Sequence, residues 1–155
     1  MKKKILLGLI IVLIGIQFIH PAANQGEAET PQDITHAVQV PAEIKNIISA
    51  SCYDCHSNHT EYPWYSYVNP VGWWLNGHIN DAKEELNFSE FATYDGERMD
   101  HKLEEIAEEV EEGHMPLPAY LWLHTDAKLS EVQRQSIVDW ANTERQKLSA
   151  STTTE

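Results

Sequence analysis

Between residues 39 and 148 the apolar positions recur every three or four residues, and no stretch alternates as a half-buried strand would, so the pattern predicts an all-α domain. Pro41 opens a helix that puts Ile44, Ile47 and Ile48 on one face and runs toward Cys52. A second is expected to be capped by Asn69 and started by Pro70, with Val71, Trp74, Leu75, His78, Ile79 and Ala82 on its inner side and Leu86 further along. A third covers about Glu97 to Glu112, buries Leu103, Ile106, Ala107 and Val110, and ends at Gly113. Ser130 with Gln133 makes a capping box for a fourth, whose buried side is Ile137, Val138, Trp140, Ala141 and Leu148.

The two ends read differently. Lys2, Lys3 and Lys4 precede an apolar run from Ile5 to Ile19 broken only by Gly8, Gly15 and Gln17, the pattern of a signal peptide or membrane anchor over residues 1–21. Fifteen helical residues reach roughly 22 Å, short of a ~30 Å hydrocarbon core, which favours a signal segment by length. The sequence His20-Pro21-Ala22-Ala23-Asn24 offers no clean cleavage site, which favours an uncleaved anchor with the lysines in the cytoplasm. Either outcome carries the domain across the membrane. Residues 22–38 are polar and proline-containing and predict a flexible linker; 149–155 predict a frayed tail. One domain remains, residues 39–148, and no internal repeat divides it.

Acidic residues outnumber basic ones 24 to 11, for a formal charge of −13. Three of the basic residues are the N-terminal lysines, so the domain itself is more acidic still. Such a surface repels phosphate backbones, which excludes nucleic acid as a partner and favours proteins with a basic docking patch.

The chemistry is concentrated in Cys52-Tyr53-Asp54-Cys55-His56, which holds the only two cysteines. Two thiols at this spacing, with a histidine immediately after, are the pattern of covalent haem attachment: the sulfurs add to the two vinyl groups of one porphyrin edge and the imidazole meets the iron. A redox disulfide would need a strand before the motif, which this chain lacks, and a zinc site would need a second pair of ligands at metal spacing. The five tryptophans and six tyrosines gather mainly between Tyr53 and Tyr120, suited to walling a pocket or simply to filling a core. The second ring nitrogen of His56 needs an acceptor, expected in the loop from Asn58 to Trp64.

For the sixth iron ligand the sequence offers Met115, held between the Gly113 turn and the stiffening Pro116 and Pro118. A Met/His pair raises the reduction potential of a c-type haem. The rival is His78, on the apolar face of the second helix; His114 neighbours the methionine and offers a hydrogen bond or a substitute ligand.

The runs Cys52 to Asn58, Pro63-Trp64-Tyr65, Pro70-Val71, Leu86-Asn87-Phe88-Ser89-Glu90 and Met115-Pro116-Leu117-Pro118 with Tyr120 resemble the bacterial haem-binding domain family related to cytochrome c, over roughly residues 38 to 148. The resemblance implies a cytochrome c-like helical domain around one haem c, that is, covalently attached iron protoporphyrin IX. It also implies an N-terminal membrane anchor and a periplasmic or otherwise extracytoplasmic position. By matching positions it makes Cys52 and Cys55 the attachment residues, His56 the proximal ligand and Met115 the distal one. Two positions depart from the family pattern: Phe91 stands where tryptophan is usual, and Thr125 follows His124 where proline is common.

Two function classes follow. With Met115 on the iron there is no free site for substrate, and the protein is an electron carrier that docks redox partner proteins, not an enzyme. With Met115 displaceable, the same domain senses a gas or reduces peroxide, His114 being the nearest acid–base group.

Overall fold

The computed structural model describes residues 1–152, with side-chain surroundings as far as Ala150. Its regular elements are helices α1 (Lys2–Gly15), α2 (Ala42–Ser51), α3 (Tyr53–His56), α4 (Val71–Glu85), α5 (Gly96–Glu111), α6 (Pro118–Leu121) and α7 (Glu131–Thr152), with 3-10 turns between them. Among the described residues there is no strand, only an isolated bridge between Gln25 and His59. The all-α expectation holds.

The core is built on α5 and α7, which share the most extensive helix contact. Leu103, Ile106, Ala107 and Val110 meet Ile137, Val138, Trp140 and Ala141 in one cluster that also takes in Ile44, Ile47 and Ile48 of α2. Each buried Leu, Ile or Val side chain among these contributes about 1.5–3 kcal/mol. Both helices start as their sequences dictate. The Asp95 carboxylate accepts from the Arg98 amide at 2.8 Å, and Ser130 and Gln133 cap each other reciprocally at 2.9 and 3.2 Å. Arg145 ties α7 to α5 through Asp100 and Glu104, at 3.2 and 2.7 Å. Helix α7 continues to Thr152, so residues 149–152 of the expected tail are helical; 153–155 lie outside the described residues.

Residues 22–38 are not a loose tether. Asp33, Ile34 and Val38 are buried, the Asn24 side-chain amide donates to Ser57 O and Thr60 Oγ1, both at 2.9 Å, and the Ala92 amide donates to Gln32 O at 2.8 Å. Composition hid this because two apolar residues and one buried carboxylate fix the segment, too few to register in an average.

Helix α4 also departs from expectation. Its N-cap is Pro70, and Asn69 does not cap it. The Asn69 side-chain amide donates instead to the carbonyls of Ile16 and Ile19, each at 2.9 Å. Val71 and Trp74, expected inside, are exposed. The cause is Gly72, whose missing side chain lets the helix lie against the Ser66 carbonyl, where a Cβ would come within 2.1 Å. That contact turns Gly72 and Ile79 inward and rolls Val71 and Trp74 outward.

Helix α1 buries no side chain, and its apolar residues point outward all round. Among the described residues no helix is long and apolar enough to cross a membrane, α1 included.

Candidate functional site

The site begins where α2 ends. Cys52 closes that helix with its amide on Ile48 O at 2.9 Å, and its own carbonyl then accepts from Cys55 N and His56 N at 3.1 and 2.9 Å. The single helical turn α3, with Cys52 as its N-cap, gathers Cys52, Cys55 and His56 around one short axis.

Neighbours on several sides fix the turn. The Tyr53 hydroxyl donates to the buried Asp33 carboxylate at 2.9 Å, and its ring stacks on Phe88 with centroids 5.1 Å apart. Burial first, then the Asp33 carboxylate, pushes the Tyr53 phenol up, so it remains a donor. Asp54 accepts from the Glu61 amide at 3.1 Å and from the Tyr120 hydroxyl at 2.7 Å. Asn58 binds Ser89 Oγ through its amide at 3.0 Å and accepts from the Asn87 side chain at 2.8 Å. The Asn87-to-Glu90 run is thus the clamp on the loop after the motif. Phe91, one of the two departures from the family pattern, is fully buried and packs beside Tyr94.

The His56 imidazole is held by Nδ1, 3.0 Å from the carbonyl of Leu86, the residue just past the end of α4. The expected acceptor in the Asn58–Trp64 loop is therefore corrected: the residue that follows α4 supplies it. With Nδ1 donating, Nε2 is the nitrogen left for a ligand. Burial draws the imidazole below its usual range, while the carbonyls of Leu86 and Ala82 oppose the shift. The ring is neutral, the form that binds a metal.

His56 and Cys52 line a cavity of about 320 Å³ that is also lined by Met115 and Pro116. Its apolar surface comes from Ile48, Leu86, Phe88, Ile106, Val110 and Ile137, and its polar edge from Glu85, Lys102, Glu105 and Glu109. Met115 reaches the cavity because Gly113 turns the chain at φ 76°, and because the amides of His114 and Met115 both donate to Glu109 O at 3.0 Å. Only glycine adopts that dihedral freely.

The cavity brings together three of the four residues singled out from sequence, Cys52, His56 and Met115. Cys55 sits on the same turn, partly exposed, beyond the cavity wall. Tyr65 and Tyr120 are both pushed up, by burial first and then by Asp54 and Cys55. The rivals of Met115 lie elsewhere. His78 packs edge-on against Trp74 at 4.3 Å, and exposed His114 lies 3.3 Å from both Glu109 and Glu112. Sequence reasoning missed the Leu86 carbonyl, a backbone atom without a side-chain signature, and Asp33. It also missed Phe88 as a wall, although Phe88 lies in a run it had singled out.

The thiols are both free. Burial, with a lesser push from Cys55, raises Cys52 to about 12; burial and then Asp54 raise Cys55 to about 11. A thiol–disulfide catalyst needs the opposite shift. Among the described residues no cluster of three or more His, Cys, Asp or Glu could hold a bare metal ion.

The donor set fits a flat, apolar macrocycle with a central metal: mainly apolar walls, a neutral imidazole and a thioether lining one cavity, and two thiols one turn apart. Fold and site thus define an all-helical cofactor-binding domain. The chain belongs to the haem-binding domain family, whose model matches residues 11–143, from within α1 to within α7. Its cofactor is haem. Comparison with curated proteins and with solved structures gives no significant match.

Proposed function

We propose that this chain is a mono-haem c-type cytochrome domain that carries electrons outside the cytoplasmic membrane, and that it is not a catalyst. The observation that supports this best is the meeting of His56 and Met115, distant in sequence, on one apolar cavity beside Cys52. When bound, the haem supplies a one-electron couple at its iron.

The residues of the chain do the rest. Cys52 and Cys55 would hold the group through two thioether bonds, S–H adding across each vinyl double bond with no net oxidation. His56 presents Nε2 because Leu86 holds Nδ1. Met115 would supply the second iron ligand through its thioether, which would favour a high potential and leave no position for substrate. Ile48, Ile106, Val110 and Ile137 exclude water. The net charge of −13 suits a redox partner with a basic docking patch. His114, the acid–base candidate of the sensor or peroxidase reading, does not line the cavity; it is exposed and engaged by glutamates.

The test is the mass of the intact chain after expression with a cytochrome maturation system. The expected result is polypeptide plus one haem that survives denaturation, with both thiols consumed. Bare polypeptide, with thiols free or joined to each other, overturns the reading.

A further inference from the structure

From Tyr62 to Asn80 the sequence carries no Asp, Glu, Lys or Arg, in a chain whose formal charge is −13. Within that stretch Trp64 is 79% exposed, Tyr67 64%, Trp74 57%, and Val68 and Val71 are also open to solvent. The 3-10 turn Trp64–Tyr67 packs against α4, so these side chains belong to neighbouring parts of the surface. A patch of this composition marks a contact with something apolar.

The end of α1 is seated beside it. The Asn69 amide donates to Gln17 Oε1 and Gln17 Nε2 donates to Asn69 O, both at 2.9 Å. The Trp73 indole donates to Ile19 O at 2.7 Å, adding to the two bonds from the Asn69 side chain. Helix α1 has no polar face along Ile5 to Ile14, and such a helix belongs in apolar surroundings. A second copy of the chain could cover the aromatic patch but not every side of α1. A bilayer covers both, and Trp and Tyr settle at its headgroup level.

We propose that the face formed by Trp64, Tyr67, Val68, Val71 and Trp74 lies in the headgroup region of a lipid bilayer into which α1 inserts, so that the domain rests on the membrane. This goes beyond attachment by α1 alone and is independent of the haem chemistry. Zwitterionic lipid suits it, because the acidic domain is repelled by an anionic surface.

The full chain is mixed with phosphatidylcholine vesicles containing phosphatidylcholine with a diazirine-bearing acyl chain, irradiated, and mapped by mass spectrometry. Adducts are expected both on residues 5–19 and on 62–76. A Trp64→Ser, Trp74→Ser double variant, with wild-type helicity, should keep the first set and lose most of the second. Adducts confined to 5–19 overturn the proposal while leaving α1 as an anchor, and no adducts at all overturn both. A dimer in detergent, with 62–76 unlabelled in vesicles, assigns the face to a second copy and likewise overturns it.

Discussion

The Tyr120 hydroxyl donates to Asp54 Oδ2 at 2.7 Å and so joins the segment that follows Met115 to the turn that carries both cysteines. Asp54 and Tyr120 are 66 positions apart in sequence, so this hydrogen bond ties together two distant stretches of the chain. Tyr120→Phe removes it and leaves the Glu61 amide on the other oxygen. A loss of about 1–2 kcal/mol is expected, typical of a bond to a charged acceptor, read as a lower urea midpoint at unchanged slope. An identical midpoint would show that water replaces the phenol without cost.

Met115→Ala addresses the sixth ligand. In the haem-loaded protein it should lower the reduction potential and abolish the far-red charge-transfer band of a thioether-ligated ferric iron. Because Met115 is only partly buried, the haem-free chain should lose no more than about 2 kcal/mol. An unchanged potential would remove Met115 from the iron.

The helices were legible in sequence to the extent that their instructions are local. Ser130 with Gln133, and the apolar spacing of Leu103, Ile106, Ala107 and Val110, specify α7 and α5 from adjacent residues alone. The Cys52–His56 motif was legible for the same reason. What was not legible depends on groups far away in the chain or on backbone atoms. Leu86 contributes a carbonyl, which any residue has. The roll of α4 follows from the approach of Gly72 to Ser66, and the packing of residues 22–38 from Asp33 meeting Tyr53.

The thiols give a chemical check on the haem-free chain. Burial holds Cys52 near 12 and Cys55 near 11, so at neutral pH almost no thiolate exists. Alkylation by iodoacetamide should run roughly a hundredfold slower in the folded chain than in urea, followed by mass spectrometry. Equal rates would mean that the turn is open in the absence of haem.

Acid should weaken the haem-free fold through His56. Its folded-state pKa lies below the usual value near 6.5, so the unfolded chain takes up the proton first as pH falls. Its contribution is fully present above about pH 6.5 and declines as pH drops below that value toward the lower folded-state pKa. His56→Gln should flatten this part of the stability–pH curve measured by urea denaturation. A variant that keeps the full slope assigns it to other groups.

Gly72→Ala tests the packing of α4. The added methyl carbon would meet the Ser66 carbonyl at 2.1 Å, against backbone that has little room to yield. A loss of about 2–4 kcal/mol is expected, visible as a lower Tm, even though alanine is the better helix former. A raised Tm would mean that α4 shifts freely on its neighbours.

Asp33 accepts the Tyr53 phenol from a position well ahead of the motif, and Asn24 braces Ser57 and Thr60 from further ahead still. A shortened chain that keeps these contacts therefore begins no later than Asn24. A shortened chain beginning after Val38 would keep every cavity-lining side chain and yet leave the Tyr53 hydroxyl without its carboxylate partner. Where to cut this protein is decided by its least conspicuous stretch.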